Sequence, residues 1–573
     1  MRRMIALGLL AVGVSAASRA ADIKIDHLGY RSGGGKLAVV SWPAARGGGQ
    51  PYAGIGPSTP FHLTQGGRTV LTGKLAGPWD DADTGDTVFH ADFSAYAGPG
   101  RGLKVEVPGL QPSGEFDVGD DPFQPALYLA LRGYYYQRCG MALEPKYAGA
   151  WTHGACHLED ASFYFKKEGR GHRRSVGGWH DAGDYGRKMM TAGPTVGILL
   201  TLCELFPGKI AGLSLNIPES GNGVPDILNE VRYELDWMLT MQEPGGGVHH
   251  EINPLEFQFT PPDRENPRYY FWCVSSFATG DLAGAMAMAA RVYRSWDRAF
   301  ADRCLESAEL AWRFLDRHPG VVPPGGIKQG PPNPPTLGYA DADDSDERFW
   351  AAAELYRTTG AAKYQDYARD HVTAGLPLPY WQDVRTHGAV ALILARHPGA
   401  DPALRDKMQG QFMALAGREL ARVQADPYRV GQDGYWWGSN SEVMCRAMVL
   451  LLAREFSGDG RYLDGAEELL HYVLGRNALD VCFLAGASAK SVKNIHNCWQ
   501  ASAGIAGAIP GLFSGGPNHA FQDDVIKREL PATTPPARSF VDLPGCYSCN
   551  ENDICYSAPF VFAAGYFHFL GRL

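Results

Sequence analysis

The stretch 281-DLAGAMAMAARVY-293 has no polar residue between Asp281 and Arg291. A helix on a protein surface shows one apolar stripe, so a helix this apolar and alanine-rich has to be covered on more than one side. The run 446-RAMVLLLA-453 repeats the pattern. Helices of this kind suit burial between neighbours in a closed ring. The helix opening at Pro225 carries its apolar residues as one stripe, Ile227, Leu228, Val231, Leu235, Met238 and Leu239, behind a proline at a first-turn position. Working outward, helical periodicity predicts twelve helices: 123–139, 191–205, 225–243, 274–298, 300–318, 345–360, 361–371, 384–396, 401–423, 438–457, 459–476 and 556–572. Long loops rich in Gly, Pro and aromatics separate several of them, over 244–272, 319–344, 424–440 and 477–555, and loops of that length in a compact domain usually carry function.

Ahead of the helices the pattern is different. Short runs such as 37-LAVVSW-42, 68-RTVLTG-73 and 102-GLKVEV-107, separated by turn residues, predict a small β-sandwich over 22–120, followed by a mainly helical domain over 121–573. Residues 1–21 place Arg2 and Arg3 before an apolar stretch and end in small residues, the pattern of a secretory signal cut near Ala20 or Ala21, so a secreted or periplasmic protein is expected. No later segment reaches about 18 continuous apolar residues, so no membrane span is predicted. A net charge of −9 without a long basic run gives no reason to expect nucleic acid or an anionic membrane as partner.

The chemistry concentrates in two segments. In 175-SVGGWHDAGDYGRKM-189, Asp181 and Asp184 stand among glycines that let a ligand approach closely. An Asx-rich turn before the next helix is the simpler alternative. In 548-SCNENDICYSAPFVFAAGYF-567, Glu551 precedes an apolar helix, where a carboxylate is also favoured by the helix dipole alone. A carboxylate pair, a distant third carboxyl among apolar residues and aromatic-rich loops fit glycoside hydrolysis. That reaction needs one protonated and one ionised carboxyl.

With 217-IPESGNGVPDILNEVRYELDWML-239, 346-DERFWAAAELY-356, 434-GYWWGSNSEV-443, 474-LGRNAL-479 and 509-IPGLFSGGPN-518, these segments resemble family 9 glycoside hydrolases, mostly cellulases, from Phe123 to the C-terminus. The run 23-IKIDHLGYRSGGGKLAVV-40 resembles the immunoglobulin-like module that precedes the catalytic domain in one branch. The resemblance implies an (α/α)₆ barrel and single-displacement inversion. Asp184 would then be the general base, Asp181 would hold the nucleophilic water, and Glu551 would be the general acid. The leading activity is endo-acting cleavage of β-1,4-glucan by a monomer, with no organic cofactor. The alternatives are exo-acting removal of glucose or glucosamine from short oligosaccharides and, in a different class, a non-catalytic carbohydrate-binding protein on the same barrel.

Cys139, Cys156, His157 and His180 supply four ligands that tetrahedral zinc accepts, and a Cys139–Cys156 disulfide is the alternative. The same branch carries a structural zinc in this region, which favours zinc. The resemblance also implies calcium at Asp346 and Glu347, with Asp383 as a third ligand, against the alternative of an acid-rich helix start. Trp272, Tyr435, Trp436, Trp437 and Tyr547 are candidate sugar contacts by their place in loops near the motifs. His496 is a further one, because cellulases of the family carry a His-His-Arg run there. In this chain Asn497 and Cys498 follow His496, and neither replaces a guanidinium. Cys203, Cys273, Cys304 and Cys445 are expected as buried thiols. Among Cys498, Cys546, Cys549 and Cys555, a disulfide joining the His496 loop to the acid loop is an open pairing.

Overall fold

The computed structural model describes residues 22–43, 54–159, 162–165, 168–328 and 338–570. The expected signal at 1–21 lies outside them. The first hundred of these residues form two antiparallel-dominated sheets. One has the strand order Asp22–Lys24, Leu37–Pro43, Asp86–Asp92, Ala76–Asp81; the other has Tyr30–Arg31, Phe116–Gly119, Gly100–Glu106, Pro60–Gln65, Arg68–Lys74. All three β runs anticipated from sequence are strands.

The run LAVV is apolar without a break because its sheet is covered on both faces. Ala38 and Val40, with Phe89 and Ala91, point into the sandwich core, whereas Val39 and Val88 join the core of the helical domain. Successive side chains alternate across a strand, so only two covered faces make a continuous apolar run. Polar contacts fix the same seam. Asp86, 1% exposed, accepts hydrogen bonds from Arg538 Nη2 at 2.8 and 2.6 Å and from the Tyr428 hydroxyl at 2.6 Å.

All twelve anticipated helices are present, and they form two concentric rings. Met189–Leu205, Ser276–Val292, Ser345–Thr359, Arg385–Leu394, Ser439–Ser457 and Ile554–Leu570 make the inner ring, with Met189–Leu205 packed on both Ser276–Val292 and Ile554–Leu570. Gln124–Tyr136, Asp226–Thr240, Arg298–Arg317, Ala362–Asp370, Pro402–Ala425 and Gly460–Val473 pack outside them, one against each inner helix. This is an (α/α)₆ barrel. Ser276–Ala290 is buried at every position, as an inner helix must be. Close approach needs small residues there: a Cβ on Gly280 would meet Glu347 Cβ at 2.6 Å.

Four short helices, Pro145–Ala148, Cys498–Ser502, Asp524–Glu529 and Tyr547–Asn550, lie in the long connections. None is long enough to show a period in sequence. Two cysteine expectations change. Cys273 is exposed, at the end of a strand pair rather than inside a helix, while Cys203, Cys304 and Cys445 are buried. The disulfide joins Cys546 to Cys549 within the acid loop, and Cys498 and Cys555 are free thiols, so no disulfide bridges the two loops.

Candidate active site

The segment carrying Asp181 and Asp184 is irregular backbone pinned from three sides. His180 N–H donates to Gln137 O at 2.7 Å, Asp181 N–H to Gly186 O at 2.8 Å, and Ile554 N–H, at the start of the last inner helix, to Asp181 O at 2.9 Å. Gly183 is the junction. Its N–H donates to Glu551 Oε1 at 3.2 Å, its carbonyl accepts from Cys498 N–H at 2.7 Å, and a Cβ there would stand 2.3 Å from His496 O. No other residue type fits that space. Parallel pairing of His496 with Glu551, through His496 N–H to Asn550 O at 2.8 Å, completes the convergence.

Electrostatics differ among these carboxyls. Asp181 is fully buried; it accepts from the Thr191 hydroxyl and, at 3.0 Å, from the Tyr339 hydroxyl, and Lys188 Nζ lies 3.1 Å from its Oδ2. Burial raises its pKa, Lys188 draws it back and Asp184 pushes it up, with a net rise. Asp184 is more open, with Oδ1 accepting from Gly186 N–H at 2.7 Å and Oδ2 3.6 Å from Lys188 Nζ. Burial, then Asp184, then Asp553 outweigh Lys188 and hold the Glu551 carboxyl well above the usual carboxylate range. Sequence reasoning missed Asp553. It is buried, bonded to the Tyr339 hydroxyl at 3.0 Å, and pushed by burial and then Asp181 to about 8.

A cleft of about 1210 Å³ is lined by Asp184, Lys188, Tyr339, Glu551 and Asp553 at one part and by Trp381, Trp436, Trp437, His496 and Tyr547 at others, while the fully buried Asp181 lies behind this wall and does not line it. Of the expected sugar contacts, His496, Trp436, Trp437 and Tyr547 line it. Trp272 and Tyr435 do not: they are 4% and 5% exposed and pack inside, Trp272 beside Met190, Phe277 and Ile327. An aromatic in a loop is as readily used to hold that loop to the core as to meet a ligand. Trp436 is 47% exposed on the cleft wall, and Trp381, edge-on to Tyr339 at 4.6 Å and not anticipated as a contact, joins it there.

Cys139, Cys156, His157 and His180 converge: their ligand atoms all lie within 4.8 Å of one another, and both cysteines are free thiols. The disulfide alternative is therefore not realised. Tetrahedral zinc with its ordinary bond lengths places ligand atoms about 3.3–3.8 Å apart, a small contraction from this arrangement. His157 Nε2 is held by Glu265 Oε2 at 2.8 Å, the outer contact a metal-bound imidazole usually has.

The calcium trio does not gather in the same way. Asp346 Oδ2 accepts from Val384 N–H at 2.8 Å, and Asp383 is engaged by its own loop, accepting from Arg385 N–H at 3.0 Å with Arg385 Nη1 at 3.5 Å. Asp346 and Glu347 share a buried acidic cluster with Asp281 and Asp341. Both Glu347 oxygens, both Asp281 oxygens and Asp341 Oδ2 are buried without a hydrogen-bond partner. The five orphaned carboxylate oxygens are of the kind a hard cation takes, but among the described residues only the Cys139, Cys156, His157 and His180 set brings its ligand atoms within 4.8 Å of one another.

Comparison with known proteins places these features in context. The sequence model of Glycosyl hydrolase family 9 matches residues 123–564, and that of the Cellulase N-terminal ig-like domain matches 18–112. Endoglucanase D of Acetivibrio thermocellus is 31% identical over 527 residues, covering 89% of this chain and 80% of the relative. A metagenome-derived glycoside hydrolase family 9 endoglucanase superposes with a TM-score of 0.86 at 34% identity, over 96% of this chain and 99% of the other. A Zn-binding triple mutant of the family 9 endoglucanase J30 gives 0.86 at 32% identity, over 94% and 99%.

Proposed function

Because this chain belongs to glycosyl hydrolase family 9 and is a glycoside hydrolase of endoglucanase type, we propose that it cleaves β-1,4-linked glucan internally and by inversion. Glu551 donates its proton to the leaving oxygen, Asp184 accepts a proton from the attacking water, and Asp181 holds that water. The observation that carries this assignment is the Gly183–Glu551 hydrogen bond, which sets the acid on the loop bearing both aspartates. The opposite electrostatic settings support it further, since burial favours the neutral form of Glu551 while Lys188 stands beside Asp184. Reducing-sugar release from soluble glucans by wild type and Glu551→Gln tests the reading. Equal, negligible release by both would favour a carbohydrate-binding protein instead.

Exo-acting removal of glucose or glucosamine is the second reading. It is favoured by the altered wall beside His496, where Cys498 faces the cleft and Asn497 is turned inward to cap Gln500 N–H and bond Asn552 Oδ1. Product lengths from cellopentaose and chitosan oligomers separate the two. The expected export signal makes the protein secreted or periplasmic, acting as a monomer. Zinc, at Cys139, Cys156, His157 and His180, is assigned a structural role. Four protein ligands leave it no open position, and His180 adjoins Asp181, so the metal would stiffen the loop that aims the carboxylates. Calcium, when bound, would neutralise the cluster of Asp346, Glu347, Asp281 and Asp341.

A further inference from the structure

A second cavity, of about 390 Å³, opens at the seam between sandwich and barrel. It shares no lining residue with the catalytic cleft, yet the two are neighbours. The outer helix Pro402–Ala425 gives Arg418 and Arg422 to the cleft and, in its next residues, Val423 and Gln424 to this cavity. Its volume lies within the range of ligand sites, and domain interfaces are among the places where such sites occur.

Its aromatic wall is Trp79, on the edge strand Ala76–Asp81 of the sheet that packs on the barrel. The indole is 39% exposed and is fixed in place. A register shift between Ala76 and Trp79 interrupts the pairing with Asp86–Asp92, and bulges of this kind re-aim a side chain. Gly77, at φ 124°, leaves room for the indole, since a Cβ there would stand 3.1 Å from the ring. His90 packs beside it with ring centres 4.5 Å apart, and its Nε2 is bonded to Pro427 O at 2.7 Å. Burial holds His90 down to about 4, so this neighbour is neutral at neutral pH.

The barrel side supplies a residue in an unusual backbone state. Arg429 has φ 59°, the left-handed region that a side chain disfavours, and such conformations cluster at ligand sites. The two residues before it are anchored on the sandwich, Pro427 through its carbonyl to His90 and Tyr428 through its hydroxyl to Asp86. Around the cavity the charges balance, with Lys36, Arg429 and Arg461 against Asp92, Asp464 and Glu468. Three cations and three carboxylates give no net attraction for an ion of either sign. They do offer donors and acceptors side by side, and a hydroxyl, which both donates and accepts, pairs with such a set.

We infer that this seam cavity is a second carbohydrate site, where a short segment of neutral β-linked glucan rests on the Trp79 indole with its hydroxyls paired to Arg429, Asp464 and the charged groups beside them. The choice of glucan rests on the reaction proposed above and on the cleft lying at the end of the same helix. The aromatic wall supplies apolar contact at low entropic cost, because the indole is already held by Gly77 and His90.

The test is fluorine NMR of 5-fluorotryptophan-labelled Glu551→Gln protein, a background chosen to leave the ligand uncut, titrated with cellohexaose. The Trp79 resonance is identified by its loss in Trp79→Phe. It is expected to shift saturably, on a binding curve separate from that of the cleft residues Trp381, Trp436 and Trp437. Arg429→Gly keeps the left-handed backbone and removes the guanidinium, and it is expected to weaken the affinity read at Trp79 at least about fivefold with the cleft responses unchanged. An unmoved Trp79 resonance overturns the inference, whether or not the cleft tryptophans respond. A shift that follows the cleft curve and ignores Arg429→Gly also overturns it, because the response is then relayed from the cleft. A shift with inorganic phosphate but not with cellohexaose would assign the cavity to an anion instead. A saturable Trp79 shift beside a wild type that releases no sugar from β-glucan would sink the assigned reaction and keep this site. A hydrolysing wild type with an unmoved Trp79 resonance sinks this site alone.

Discussion

Gly183 and Glu551, 368 positions apart, are joined by a hydrogen bond of 3.2 Å from the glycine N–H to the glutamate Oε1. Through it the loop that carries the aspartates also holds the acid, and a side chain at 183 would collide with His496 O at 2.3 Å. Gly183→Ala is therefore expected to cut kcat/KM by more than about tenfold through displaced geometry. Glu551→Gln is expected to cut it by about 10²–10⁴, the usual contribution of a general acid. Kinetics beside circular dichroism check both, and an active Gly183→Ala with unchanged KM would show that the junction is not needed.

The protein is expected to contain about one zinc per chain, and Cys156→Ser to lose it. Glu265→Gln is the subtler variant: it removes only the contact that orients His157, and zinc affinity is expected to fall about 10–100-fold. Metal analysis and competition with a chromogenic chelator measure both. Wild-type protein isolated without zinc, and with Cys139 linked to Cys156, would contradict the assignment.

Calcium is expected to raise the melting temperature of the chelator-treated protein, by the equivalent of about 2.7 kcal/mol at a hundredfold excess over Kd. Asp281→Asn should abolish that rise, whereas Asp383→Asn should leave most of it. Differential scanning calorimetry with and without calcium distinguishes them.

Asp86 is expected to be the most sensitive residue of the seam between sandwich and barrel. Asp86→Ala leaves Arg538 facing a buried surface without its carboxylate, a change that costs about 3–5 kcal/mol in comparable pairs. Lowered stability to urea, with zinc content retained, is the expected outcome. Unaltered stability would mean that apolar packing around Val39 and Val88 holds the seam alone.

Stability should also depend on pH through Glu251 and Asp553. Burial raises both to about 8 in the folded protein, above their unfolded values near 4. The folded state then binds more protons than the unfolded one between these limits, so stability is greatest below the unfolded pKa and falls as pH rises toward about 8. Glu251→Gln and Asp553→Asn together should flatten the melting temperature across pH 4.5–8. An equally steep profile in the double variant would refute the attribution.

Much of this protein is determined locally and was legible in one dimension. The inner helices announce themselves because a helix enclosed on several faces has no polar side, as in 281-DLAGAMAMAARVY-293, and the sandwich because its strands alternate with turns. The glycine-framed Asp181 and Asp184 and the Cys139, Cys156, His157 and His180 set stand out because their chemistry restricts which residues serve. What only the tertiary structure decided is which side chains meet across loops. Trp272 and Tyr435 share composition with Trp436 and Trp381, yet the first two are core and the last two line the cleft, since loop sequence has no period from which a direction can be read. Asp281 looks like one acid in an apolar helix until the ring brings it to Asp346 and Asp341, and Lys188 like a helix-flanking lysine until the fold sets it between two aspartates. The strength of such contacts depends on distance and burial, and both are properties of the packed chain.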